Sequence, residues 1–226
     1  MLRNLLFAAV VAAISGCAGC TGPGGDDGGS GGGAGGSGGS GGAGGNGEIA
    51  QSSKGVVRFK RNVRMTVDFA QSLGLTTAEV CNELGQYPCT TLVHALNLGG
   101  VDPYGSGLFE PLPFTGITSP IVADRVALAA CTTRVTRDQT APLFGLIYKF
   151  APDAAGKIAN LEGSDVNLAL DTLYQRTLLR DPTTQEKAHL KQLYRDIEAT
   201  GKPDPAKAWM ILSCFTVTTS VEFLFY

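Results

Sequence analysis

Seventeen of the 26 residues from Gly22 to Gly47 are glycine, and the rest of that tract is Ser, Ala, Asn, one Pro and the pair Asp26 and Asp27. Such a stretch offers almost no apolar surface to bury, so it cannot repay the entropy of folding and divides the chain. As a glycine-rich coil it is expected to have an end-to-end distance of about 25 to 31 Å, with full extension near ~90 Å. The expected organisation is a leader over 1–16, a Gly-rich disordered tether over 17–47 and one globular domain over 48–226. The globular part holds only 12 of the 31 glycines and is long enough for a single core.

The leader has the layout of an export signal, with Arg3 followed by the uncharged apolar run Leu5 to Ile14. Ten residues fall well short of the about 20 a membrane-spanning helix needs, so cleavage is expected. Ile14-Ser15-Gly16-Cys17 then places an aliphatic residue and two small ones before a cysteine. This resembles the lipobox of bacterial lipoproteins. The resemblance implies cleavage before Cys17, a thioether-linked diacylglyceride on its sulfur and an acyl chain such as palmitate on its new amine. It also implies a cell-envelope protein held at a lipid bilayer through Cys17. Ala18 stands where an aspartate would resemble an inner-membrane retention signal, so the outer membrane is favoured.

Six cysteines occur, at 17, 20, 81, 89, 131 and 214. An exported chain meets an oxidising compartment, so Cys81, Cys89, Cys131 and Cys214 are expected to pair, with three connectivities open and Cys20 left over. We favour Cys81 with Cys89, closing a short loop, and Cys131 with Cys214, joining helices distant in sequence. Neither Cys-x-x-Cys nor Cys-x-x-Cys-His occurs.

The globular part reads as all-α. Val166, Leu170, Leu173, Tyr174, Thr177 and Leu178 recur at helical spacing after Ser164, which can serve as cap. Thr183-Thr184-Gln185-Glu186 is a capping box for a second helix whose inner face is Leu190, Leu193, Tyr194 and Ile197, with Gly201 past its end. Asp204 and Pro205 open a third, with Met210, Cys214, Val217, Val221 and Leu224 on one side and Trp209, Leu212, Phe215 and Phe223 around the rest. A helix apolar nearly all round belongs in the middle of a core. Ser119-Pro120 begins another, through Ile121, Val122, Val126, Leu128, Cys131 and Val135. Thr76 or Thr77 can cap a short helix through Cys81 to Leu84, ended by Gly85. Residues 57–69 fit either strand alternation or a helical stripe; we read a helix because the stripe runs on to Leu73. Gly99 to Thr118, rich in Gly and Pro, is a surface loop.

The motif Leu173-Tyr174-x-Arg176-x-x-Leu179-Arg180-x-Pro182-Thr183-x-x-Glu186, with Trp209-x-x-Leu212 and Ser220-x-Glu222-Phe223-Leu224-Phe225, covers roughly the last fifty-five residues. It is similar to the C-terminal helical segment of planctomycete-type cytochrome-associated proteins of unknown function. The resemblance implies an all-helical, extracytoplasmic domain, and it raises as an alternative a redox accessory protein that binds haem or metal without Cys-x-x-Cys-His.

Catalytic and metal-binding residues are not assigned. The net charge of -2 gives no electrostatic footprint for nucleic acid, and neither Gly-x-Ser-x-Gly nor Gly-x-x-x-x-Gly-Lys occurs. His189 reads as a solvated flank; His94, with Cys89, Asp102 and Glu110 near in sequence, reads as a structural histidine beside a disulfide. Asp124 is expected on a partly buried side of its helix, and Arg176 and Arg180 to pair with Asp181 and Glu186. The function expected is a binding or structural component of the envelope that contacts another envelope protein, with no cofactor.

Overall fold

Met65, Phe69 and Leu73 repeat every four residues and all three are completely buried, which makes α1 (Asn62–Leu73) the first element of the core. Gly74 ends it in the left-handed conformation, φ 58°, donating its N–H back to Ala70 and Gln71. The computed structural model describes residues 58–111, 117–142 and 145–226. The segments expected as leader and tether, with Cys17 and Cys20, lie outside the described residues.

Ahead of α1, residues 58–60 are extended and clasp the C-terminal segment. Arg58 donates its N–H to the Tyr226 carbonyl and accepts from the Tyr226 N–H, while Lys60 donates to the Leu224 carbonyl. Phe59 stacks edge-on against Phe225 at 5.3 Å between ring centres. Both readings of 57–69 were therefore half right. The helix begins only after Arg61, and Phe59 belongs to a bridge that pairs with a partner at the far end of the chain.

After α1, Thr76 caps a single 3-10 turn (Thr77–Glu79) and the chain then turns through a hairpin of β1 (Asn82–Glu83) and β2 (Tyr87–Pro88). The helix expected through Cys81 to Leu84 is not there. Leu84 and Gly85 both have positive φ, 52° and 72°, and Gln86 donates to the Glu83 carbonyl, the geometry of a primed hairpin turn. The Cys81–Cys89 disulfide joins the two sides of this hairpin with a Cα separation of 5.4 Å, a cross-link that a helix over the same residues could not accommodate. A π-helical turn over Cys89–Val93 and a 3-10 turn over Leu96–Leu98 follow.

The remaining regular elements among the described residues are helices: α2 (Thr118–Thr140), α3 (Ser164–Thr177), α4 (Thr184–Ala199), α5 (Pro205–Thr218) and the single turn α6 (Val221–Leu224). In α4 the reciprocal cap forms as its sequence dictates, Glu186 N–H to Thr183 Oγ1 at 3.2 Å and Thr183 N–H to Glu186 Oε2 at 2.7 Å. Asp204 sits at a left-handed φ of 52° and accepts from Lys207 N–H, so the cap of α5 is an aspartate in a conformation that short polar side chains tolerate best. Ser164 is not a cap; Gly163 takes that place and the Ser164 hydroxyl donates to Asp165.

Helix α5 is the centre of the domain, packed on α2, α4 and α3. Its Trp209, Met210 and Cys214 are fully buried, and Trp209 is ringed by Phe150 at 5.5 Å and Tyr194 at 5.9 Å while its indole N–H donates to the Leu190 carbonyl at 2.6 Å. The expected third helix stops early, however. Thr219 and Ser220 break it, and Val221, placed on the inner face by its spacing, is exposed because α6 starts on a new axis capped by Ser220. The covered side of α2, which packs chiefly on α5, carries Val122, Ala123, Val126, Ala127, Ala130 and Cys131, all buried, whereas Ile121 and Leu128 are exposed. The small alanines set which side of α2 is covered, since they let the two helices approach closely. Cys131 and Cys214 meet across that contact and are bonded, with 5.8 Å between their Cα atoms.

Candidate functional site

Four clusters of polar side chains among the described residues are candidates for chemistry, and three of them are built at the start or end of an α-helix.

The first is buried. Asp138, in the last turns of α2, is completely enclosed; one carboxylate oxygen accepts from the Arg134 guanidinium and the other from the N–H groups of Ile147 and Tyr148 at 2.9 and 3.0 Å. The carboxylate therefore replaces, for the segment around 147–150, the hydrogen bonds a regular element would have made. Arg134 and Asp138 were not singled out from the sequence. The available signal was their opposite charge at a spacing of four, in register with Ala127, Cys131 and Val135 on the covered face. Beside them lies a cleft of about 320 Å³ lined by Asp138, Gln139, Pro142, Tyr148, Lys149 and Phe150. The Tyr148 hydroxyl is buried there and makes no close hydrogen bond among the described residues; burial raises its pKa, an effect the neighbouring Gln139 side chain partly offsets.

The second joins the C-terminal end of α1 to two arginines. Arg176 donates to the carbonyls of Ser72 at 2.7 Å and Gln71 at 2.8 Å, and Arg134 reaches toward those of Leu73 and Gly74. Cations at a helix C-terminus satisfy its orphan carbonyls and oppose the negative end of its dipole. Arg176 thus neither pairs with Asp181 nor with Glu186, because tertiary packing offers it carbonyls instead.

The third is an ion-pair cluster on the surface. Arg180 grips Glu186 through two nitrogens at 2.7 and 3.0 Å and Glu222 through two at 2.8 Å each, tying the start of α4 to α6. Hydrogen bonding to Arg180 is the main cause that holds Glu186 at about 2, with its own cap bonds adding to it, and the same guanidinium lowers Glu222. Tyr174, under the Arg180 guanidinium, is pushed up to about 12, chiefly by burial. A carboxylate whose pKa is lower in the folded chain contributes stability above its unfolded value of about 4.5, and loses it as pH falls toward 2. The thermal midpoint is therefore expected to fall through that window. Glu186→Gln is expected to lower the midpoint at pH 7 and to make the fall between pH 4.5 and 2 shallower; an unchanged acid profile would remove this assignment.

The fourth contains His94. Its Nε2 lies 2.7 Å from Glu83 Oε1, and Arg125 Nε reaches the same oxygen at 2.9 Å, so one carboxylate ties the hairpin to both the π turn and α2. Cys89, near His94 in sequence, has its sulfur committed to Cys81. Asp102 instead accepts the Gly105 N–H within its own turn. Among the described residues no group of three or more His, Cys, Asp or Glu side chains is placed to hold a metal ion. His189 is exposed, and Asp124 lies on the exposed side of α2 with Ile121 and Leu128, where partial burial raises its pKa. Of the terminal aromatics, Phe223 packs on Phe69 at 5.0 Å, Phe225 is half-buried and Tyr226 is exposed.

The four points are structural in their wiring: Asp138, Arg176, Arg180 and Glu83 at their centres each bond to backbone groups or to opposite charges of the same fold. No nucleophile hydrogen-bonded to a base appears among them. Compared with protein families, with curated proteins and with solved structures, the chain matches none.

Proposed function

We propose that this chain is a lipid-anchored extracytoplasmic protein, held at the cell envelope through Cys17, whose helical domain acts by binding another envelope component. The observation that carries the reading is the lipobox-like Ile14-Ser15-Gly16-Cys17 followed by a domain whose four remaining core cysteines are all used in two disulfides. Such cross-links persist in oxidising compartments and are rare where thiols are kept reduced, so they support export independently of the leader. Two or more acyl chains on one residue make a stable anchor, since each buried methylene adds about 0.8 kcal/mol. A spacer between anchor and domain lets the domain meet partners at the membrane surface. The outer membrane is the favoured destination, on the residue following the cysteine.

Labelled palmitate fed to cells making the full chain is expected to enter the protein, and Cys17→Ala is expected to abolish the label and shift the protein from the membrane to the soluble fraction. Label retained by Cys17→Ala, or a soluble intracellular product with every thiol free, would overturn the reading. Crosslinking of the anchored form in intact cells, with Cys17→Ala as the control, tests the binding role; a domain crosslinked to nothing at native abundance counts against it.

A further inference from the structure

The chain carries four cations within seven residues where the domain begins: Arg58, Lys60, Arg61 and Arg64. Their fates differ. Asp68 takes Lys60 at 2.9 Å and Arg64 Nε at 2.9 Å, leaving the rest of the Arg64 guanidinium in solvent with a side chain 67% exposed. Arg58 and Arg61 are exposed, and neither side chain has an ion-pair or hydrogen-bond partner among the described residues. Elsewhere in the domain the cation is usually matched, as in the Arg180 cluster or the Lys187–Asp171 and Lys157–Glu198 pairs.

An exposed apolar group stands beside these cations, and others lie on a loop rooted against the same turn. Val63 is 62% exposed on the same turn of α1. The root of the next loop is against that turn, since the Asn62 amide nitrogen lies 2.7 Å from where a side chain at Gly100 would begin. That loop presents Val101, Tyr104 and Phe109 to solvent, with Tyr104 wholly exposed. It contains no Lys or Arg; of its two acids Asp102 accepts the Gly105 N–H, and Glu110 is exposed with no ion-pair partner among the described residues.

We propose that this face, the start of α1 with the adjoining loop, lies on an anionic lipid bilayer. Unpaired arginines beside exposed aliphatic and aromatic side chains match the two layers of such a surface: guanidinium forks suit headgroup phosphates, and amphipathic rings suit the zone beneath them. The place in the chain fits as well, because only residues 18–57 separate Arg58 from Cys17. The lipid-anchor reading sets how often the face meets a membrane, while the headgroup contact itself does not use Cys17.

The test uses the full mature chain carrying Cys17→Ala, so that no acyl group contributes, sedimented with vesicles of phosphatidylcholine alone or with one third phosphatidylglycerol. Binding is expected only to the anionic vesicles, with release as NaCl is raised. At about fivefold in affinity per cation near the surface, Arg58→Gln with Arg61→Gln is expected to weaken binding on the order of thirtyfold. Lys202→Gln with Lys207→Gln removes the same charge from the connection into α5 and its first turn, where neither side chain has an ion-pair partner among the described residues, and is expected to stay within about twofold of the parent. Equal binding to both vesicle types, equal loss from the two double variants, or no binding at all would each overturn the proposal. Palmitate labelling is unaffected by any of these outcomes, so failure here and failure of the anchor are told apart. Circular dichroism checks that both variants are folded, which is expected because Arg58 and Arg61 make no side-chain contacts that the domain depends on.

Discussion

Asp138→Asn is expected to destabilise the domain by about 3 to 5 kcal/mol, the range found when one partner of a buried ion pair is removed and the other stays behind. The residue is enclosed on every side, and its loss as an anion leaves the Arg134 guanidinium buried without a counter-charge. An amide offers one acceptor oxygen in place of two, so the N–H groups of Ile147 and Tyr148 and the Arg134 fork cannot all be satisfied. Arg134 is itself incompletely served, since its Nε is buried with no partner. The double variant Arg134→Met with Asp138→Leu is the informative companion. Removing both charges avoids the orphan, and it is expected to recover a large part of the loss, although the two N–H groups remain unserved. Urea unfolding of the three proteins checks this. A loss below about 1 kcal/mol for Asp138→Asn would mean that the carboxylate does not pin the 147–150 segment to α2.

The second large effect concerns the cross-link between α2 and α5. Cys131 and Cys214 are 83 residues apart in sequence, and by the chain-entropy relation closing a loop of that length in the unfolded chain stabilises the fold by about 4.5 kcal/mol. The Cys81–Cys89 bridge closes a loop with a separation of only 8, for which the same relation gives about 2.5 kcal/mol. Cys131→Ala with Cys214→Ala is therefore expected to shift the unfolding midpoint markedly further than Cys81→Ala with Cys89→Ala. Both Cys131 and Cys214 are completely buried, so the vacated sulfur volume adds a packing loss in the same direction. Denaturant unfolding of the two double variants, each compared with the oxidised parent, decides the order. A reversed order would show that the hairpin is held chiefly by its cross-link and the helical core by its packing.

What these residues have in common is that one was visible in the sequence and the other was not. Cysteines announce themselves, and export narrows four of them to three connectivities; choosing Cys131 with Cys214 needed only the idea that two buried helices meet. Asp138 carries no such mark. An aspartate at a helical position reads as solvent-facing unless the buried side of that helix is already known, and on α2 that side is drawn by alanines rather than by the large aliphatic residues that pattern reading follows. Ile121 and Leu128 were placed inward for the same reason, and they are exposed.

The sequence by itself determined the features that depend on neighbours along the chain. These include the capping box at Thr183 and Glu186, the Asp204-Pro205 start of α5 and the helical class of the domain, because each is decided within one or two turns by backbone hydrogen bonds and local conformational freedom. Only the tertiary structure decided the rest. The hairpin between Cys81 and Cys89 displaced a plausible helix because a primed turn and a cross-link outweigh local helix preference. Phe59 found a strand partner in Phe225, at the other end of the described chain, and Arg176 found the carbonyls of α1 rather than the carboxylates beside it in sequence. Such pairings depend on which surfaces are brought together when apolar faces are buried, and no window of sequence contains both members.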